Sequence, residues 1–151
     1  MIRQVTSETA MRSLGEQIAH ALTGGEIIEL VGDVGAGKTT LTKGIAIGLG
    51  IDETVQSPSF TISRVYDAPN DLHLVHYDFY RLQDAGIMAN ELHETLHDPS
   101  TVTIIEWAGI VDGVLPVDHV TITITSPSET DRRVEFMAGG AESRQLLEKI
   151  V

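Results

Sequence analysis

The sequence predicts one α/β domain whose sheet mixes parallel and antiparallel strands, and three observations carry that expectation. Early in the chain an apolar run, a glycine-rich turn and an amphipathic run follow one another, the order of strand, loop and helix. Two later pairs of strand-like runs are each joined by a turn, at residues 67–71 and 126–131, which calls for hairpins and so for antiparallel pairing. A length of 151 residues with 42% hydrophobic side chains supports a single core spanning 1–151.

Ile2 to Val5 reads as a short edge strand. Thr6-Ser7-Glu8 supplies a helix cap with an acid in the first turn, and Met11, Leu14, Ile18 and Leu22 fall on one face until Thr23-Gly24-Gly25. Ile27 to Val31 is a buried strand, and Thr40 to Leu49 a helix with Leu41, Ile45 and Leu49 on one side. Ser57-Pro58-Ser59-Phe60-Thr61 suits a loop entering a strand. The turn Asp67 to Asp71 then joins an extended segment to Leu72–Tyr77, which ends at Asp78. Tyr80 to His97 reads as one or two short helices, and Thr101 to Ile105 as a buried strand ending at Glu106-Trp107. His119 to Thr125 and Arg132 to Met137 form the last hairpin, and Ala141 to Val151 a final amphipathic helix. No repeat or low-complexity tract interrupts this order.

Gly32-Asp33-Val34-Gly35-Ala36-Gly37-Lys38-Thr39-Thr40 sits between the second strand and the second helix and fits G-x-x-x-x-G-K-[ST]. Gly32, Gly35 and Gly37 let the backbone fold back, so that N–H groups from Gly35, Ala36, Gly37, Lys38, Thr39 and Thr40 can surround an anion at a helix start. Lys38 brings a positive charge to the outer phosphates, and the Thr39 hydroxyl is suited to Mg²⁺. The fold class expected is therefore a P-loop NTPase-like mixed β-sheet flanked by helices, with antiparallel hairpins.

Hydrolysis needs a further carboxylate at a strand end near the loop. Asp78 and Glu106 both close apolar strands, so one is expected at the metal and the other at the attacking water; sequence leaves open which does which. His93-Glu94-Thr95-Leu96-His97 matches the H-E-x-x-H pattern of zinc peptidases. The segment is closed at once by Asp98-Pro99-Ser100 and lacks a third-ligand signature, so a solvated helix face is expected.

The net charge of −12 disfavours a direct grip on nucleic acid, which requires a basic surface. No cysteine is present, which excludes disulfides and thiolate metal sites. No apolar run reaches membrane-spanning length and the first residues lack a signal-peptide pattern, so a soluble, cytoplasmic protein is expected. After the loop there is no N/T-K-x-D guanine motif, and arginines in the middle of the chain are limited to Arg64 and Arg81. A Ras-like GTPase and a typical small-molecule kinase are both disfavoured, and ATP is reached by elimination.

The phosphate loop, Ser57-Pro58-Ser59-Phe60-Thr61, His76-Tyr77-Asp78-Phe79-Tyr80-Arg81-Leu82 and Ile105-Glu106-Trp107, in this order, resemble the TsaE (YjeE) family. The resemblance spans nearly the whole chain; H-x-D-x-Y-R-L followed by E-W is its specific part. It implies an ATPase that uses Mg²⁺, releases ADP, and is needed for threonylcarbamoyladenosine modification of the tRNA adenosine beside the anticodon. It further implies association with a TsaB–TsaD enzyme, weak activity in its absence, and contact with tRNA only through that partner. Carried over by motif, Thr39 and Glu106 lead the metal site, Asp78 is a carboxylate required for activity, and Lys38 acts on the phosphates. Ser57, Ser59 and Thr61 belong to a switch-like segment. Ser59 stands where threonine is commoner, and Ala108-Gly109 where an acid or proline often follows Glu-Trp. Adenine contacts are expected from the segment before the first helix and from around Arg132-Arg133, though no motif fixes them.

Overall fold

A computed structural model describes residues 1–56, 58, 62–80, 82–84, 86, 88–111 and 113–150. Seven strands form one sheet in the order β1-β7-β6-β2-β5-β4-β3. They are β1 (Ile2–Val5), β2 (Ile27–Val31), β3 (Ser63–Ala68), β4 (Leu72–Asp78), β5 (Thr101–Glu106), β6 (Val120–Thr125) and β7 (Arg132–Ala138). The four inner strands β6, β2, β5 and β4 run parallel, while β3, β7 and β1 pair antiparallel to their neighbours. Both expected hairpins are present and lie on opposite sides of the parallel centre.

Helices α1 (Glu8–Ala19) and α2 (Lys38–Gly48) cover one face of the sheet through Met11, Leu14, Ile18, Leu41 and Ile45, all buried with Ile28, Leu30, Ile104 and Ile122. On the other face α3 (Met88–Leu96) packs Leu92 and Leu96 against Val75, Tyr77 and Ile105. The Tyr77 hydroxyl meets Thr95 Oγ1 at 2.8 Å, which gives the buried phenol a partner; burial nonetheless pushes its pKa up. The last helix, α4 (Ala141–Ile150), closes the chain.

Two boundaries differ from expectation for local reasons. α1 ends at Ala19, where the chain tightens into i→i+3 bonds from the Ala21 and Leu22 N–H groups to the Ile18 and Ala19 carbonyls at 3.0 Å, and Glu26 then accepts from the Thr23 and Gly24 N–H groups at 2.9 and 2.7 Å. Leu22 still reaches the core from that turn. α2 begins at Lys38 rather than Thr40, with Gly37 at φ 117° as its N-cap. Between Tyr80 and His97, where one or two short helices are expected, the described residues form one, α3.

α1 and α2 cross at glycines. A Cβ at Gly15 would lie 2.5 Å from the Leu41 carbonyl oxygen, and one at Gly48 would lie 2.5 Å from the Ala19 Cβ. At Gly44 it would fall on the Arg12 carbonyl. This close contact brings the start of α1 against the glycine-rich loop of residues 32–40, where the Met11 methyl would be 3.2 Å from a Cβ at Gly37.

Candidate functional site

The loop that follows β2 emerges at the C-terminal ends of the parallel strands, between β5 on one side and β6 on the other. That is the position where a parallel sheet leaves a crevice. Gly35 and Gly37 hold φ of 82° and 117°, conformations that a side chain strains, as the glycine pattern anticipated. The Ala36 N–H closes the turn onto the Asp33 carbonyl at 3.0 Å. The first-turn N–H groups of α2, from Lys38 to Thr40, have no intrahelical acceptor and face the crevice mouth.

Asp78 and Glu106 are directly opposite one another in the β4–β5 register. Both are buried, and both line the same cavity of about 430 Å³ as Gly35, Gly37, Lys38, Thr39 and Thr40. The two strand ends are fastened together, since the Phe79 N–H donates to the Glu106 carbonyl at 3.1 Å. Asp78 Oδ1 accepts from the Tyr80 N–H at 3.0 Å, which fixes its carboxylate at the turn. The structure thus brings together Lys38, Thr39, Asp78 and Glu106, residues up to 68 positions apart.

Lys38 links the two sides of this cavity. Its ammonium donates to the carbonyls of Gly32 and Asp33, the latter at 3.1 Å, and lies 4.0 Å from Glu106 Oε1. It also sits 5.2 Å from the centre of the Trp107 ring, within cation–π range. Trp107 has φ of 58°, is 40% exposed and packs on Tyr80, with ring centres 4.9 Å apart. It is a rim residue of the cleft rather than part of the core.

His76 carries more than the sequence indicated. Its ring is fully buried and its Nε2 lies 2.6 Å from Glu106 Oε2, while Nδ1 has no partner among the described residues. An ionised carboxylate offers only lone pairs, so Nε2 is the donor, and one oxygen of Glu106 is committed to it. The other oxygen is left toward Lys38 and the cavity. The register could not have shown this from sequence, because His76 is opposite Ile104 and reaches Glu106 diagonally.

A second cavity of about 350 Å³ adjoins the first, sharing Glu8, Gly35, Gly37 and Thr40 as a common wall. Its far side is Thr6, Ser7, Met11, Glu129, Thr130 and Arg132. Arg132 lines it, whereas Arg133 pairs with Glu135 at 3.0 Å. Among residues named from sequence, Ser57, Ser59, Thr61 and Arg81 lie outside the described residues. His93 and His97 are exposed on and just beyond α3, their rings 4.3 Å apart, with His97 Nδ1 donating to the His93 carbonyl. No group of three or more metal-ligating side chains surrounds them among the described residues.

Fold and cleft together define a P-loop NTPase-like protein, a mixed α/β sheet with a glycine-rich G-x-x-x-x-G-K-[ST] loop at the end of its central strand. The family model for the threonylcarbamoyl adenosine biosynthesis protein TsaE matches residues 5–134, and the chain belongs to that family. It is similar to the tRNA threonylcarbamoyladenosine biosynthesis protein TsaE of Bacillus subtilis, at 40% identity over 83% of this chain and 78% of that one. The protein of the same name from Nostoc sp. is 33% identical over 82% of this chain and 77% of its own. A crystal structure of Bacillus subtilis YdiB superposes with a TM-score of 0.79 and 28% identity, covering 99% of this chain and 93% of that one. Membership places the chain in a family of tRNA threonylcarbamoyladenosine biosynthesis. Among the described residues no helix is long and apolar enough to cross a membrane.

Proposed function

We propose that this chain binds ATP and hydrolyses it with Mg²⁺, in service of a TsaB–TsaD type complex that modifies tRNA in the cytoplasm. The observation that carries the reading is the pairing of Asp78 with Glu106 across two strand ends, facing Lys38 and the phosphate loop in one cavity. A loop without opposed acids would support binding; the acids add the means to handle water.

The donor set fits magnesium. The Thr39 hydroxyl and the Asp78 and Glu106 carboxylates are hard oxygen donors lining the cavity, with no sulfur or imidazole in its lining among the described residues. When bound, the ion neutralises charge on the phosphate oxygens. Thr39 and Glu106 would hold it, Glu106 being kept in place by His76. Asp78, fixed by the Tyr80 N–H, would orient the attacking water and take its proton as the bond to the ADP oxygen breaks. Lys38 and the N–H groups of the loop hold the transferred charge. The nucleoside would occupy the adjoining cavity between the start of α1 and the β6–β7 turn, the two regions from which adenine contacts are expected.

The partner reading is supported by charge and by the cleft itself. At −12 the chain suits reaching tRNA through another protein. Val34, Tyr80 and Trp107 are exposed around the cleft, leaving apolar surface for a partner to cover. Phosphate release should be slow for the purified chain and should rise on adding the TsaB–TsaD complex. Activity that rises instead with a small-molecule acceptor, and ignores that complex, would make the protein a kinase.

A further inference from the structure

We propose that Arg132 is a positioning residue of the phosphate loop, clamping the Ala36–Gly37 peptide so that its N–H is presented to a phosphate. The inference rests on reading the cleft as a nucleotide site. Arg132 opens β7, 96 residues beyond the loop, yet its Nε donates to the Ala36 carbonyl at 3.0 Å. On its other side one terminal nitrogen donates to the carbonyls of Ser128, Glu129 and Asp131 at 3.1, 3.1 and 2.9 Å. One guanidinium therefore gathers the β6–β7 turn and ties it to the loop.

The consequence follows from peptide geometry. In a planar trans peptide the C=O and the next N–H point in opposite directions. Holding the Ala36 oxygen against Arg132 aims the Gly37 N–H away from the hairpin, and that N–H has no protein acceptor among the described residues. The peptide is otherwise easy to rotate, because Gly35 and Gly37, at φ 82° and 117°, stand on either side of Ala36. Glycines make the turn possible and leave it under-determined; a clamp from outside the loop supplies the missing constraint. The task suits arginine, whose rigid fork reaches two places at once, and not lysine, whose donors share one atom.

Arg132 also borders the adjoining cavity, so direct contact with the nucleoside is the rival account. Titration of the wild-type chain, Arg132→Ala and Arg132→Lys with Mg·ATP and with Mg·tripolyphosphate separates the two. The clamp predicts about tenfold weaker binding of both ligands in both variants, the size of one charge-assisted hydrogen bond, with the loss in Kd and KM rather than in kcat. Loss confined to ATP, or full affinity in Arg132→Lys, would overturn it. Amide exchange at Ala36, whose N–H is bonded to Asp33, reads the clamp with no ligand added and should accelerate in Arg132→Ala. Unchanged exchange would overturn the clamp, whereas wild-type protein that binds neither ligand would overturn the phosphate-site reading itself.

Discussion

The two walls of the cleft are built on opposite principles. The loop wall, Gly32 to Thr40, presents backbone N–H groups and depends on conformation, with glycines at φ values that a side chain resists. The acid wall presents side chains, Asp78 and Glu106, on adjacent parallel strands whose register sets them opposite one another. The loop is held by long-range ties such as Arg132, Glu106 by a buried neighbour, His76, and Asp78 by the Tyr80 N–H. A change of conformation should therefore damage binding at the first wall, and a change of functional group should damage turnover at the second.

Lys38 touches both walls, and its loss should have the largest effect. Lys38→Ala is expected to lower kcat by about a hundredfold or more and to weaken ATP binding as well, measured by phosphate release and by titration. Gly37→Ala tests the loop wall by itself. Its Cβ would meet the Met11 methyl at 3.2 Å with φ at 117°, so ATP affinity should fall by about ten- to thirtyfold. Turnover at saturation should fall much less.

His76 sharpens the acid wall. His76→Leu should lower kcat by about tenfold with little change in ATP affinity, since Glu106 loses the donor that aims it. His76→Gln, which keeps a donor, should recover part of the rate. Equal losses in the two variants, tracking a drop in Tm, would reduce His76 to a packing residue.

A smaller effect lies outside both walls and serves as the control. Asp118 accepts from the Ser143 hydroxyl and from the Ser143 and Glu142 N–H groups at the start of α4, and these bonds hold its pKa below the ordinary aspartate value. A lowered folded-state pKa gives stability that is present above the unfolded value and lost as pH falls through the folded one. Asp118→Ala should thus lower Tm at neutral pH, with the gap to wild type closing below about pH 4. Its ATP turnover should match wild type.

The same contrast explains what the sequence could reveal. The loop was legible because its glycines, lysine and threonine are contiguous, each with its own physical reason. The acids were legible as residue types at the ends of apolar runs, but their face-to-face placement depends on the β4–β5 register, which no local pattern encodes. The diagonal reach of His76 to Glu106 and the tie from Arg132 to Ala36 depend on strand order and were beyond local reading. Gly15, Gly44 and Gly48 carried a signal that could have been used, since three glycines inside helical runs ask for a close neighbour. The expected lengths of α1 and α2 missed by a few residues because the tightened turn after Ala19 and the Gly37 cap decide those ends.

By the function proposed above, the opposed acids turn the glycine-rich loop into a hydrolytic site. This is tested most directly by phosphate release from Mg·ATP in the Asp78→Asn, Glu106→Gln double variant, with the TsaB–TsaD complex present and ATP binding measured in parallel. ATP affinity should stay within about threefold of wild type, with no phosphate release above background. Release at the wild-type rate by a variant lacking both carboxylates would contradict that function.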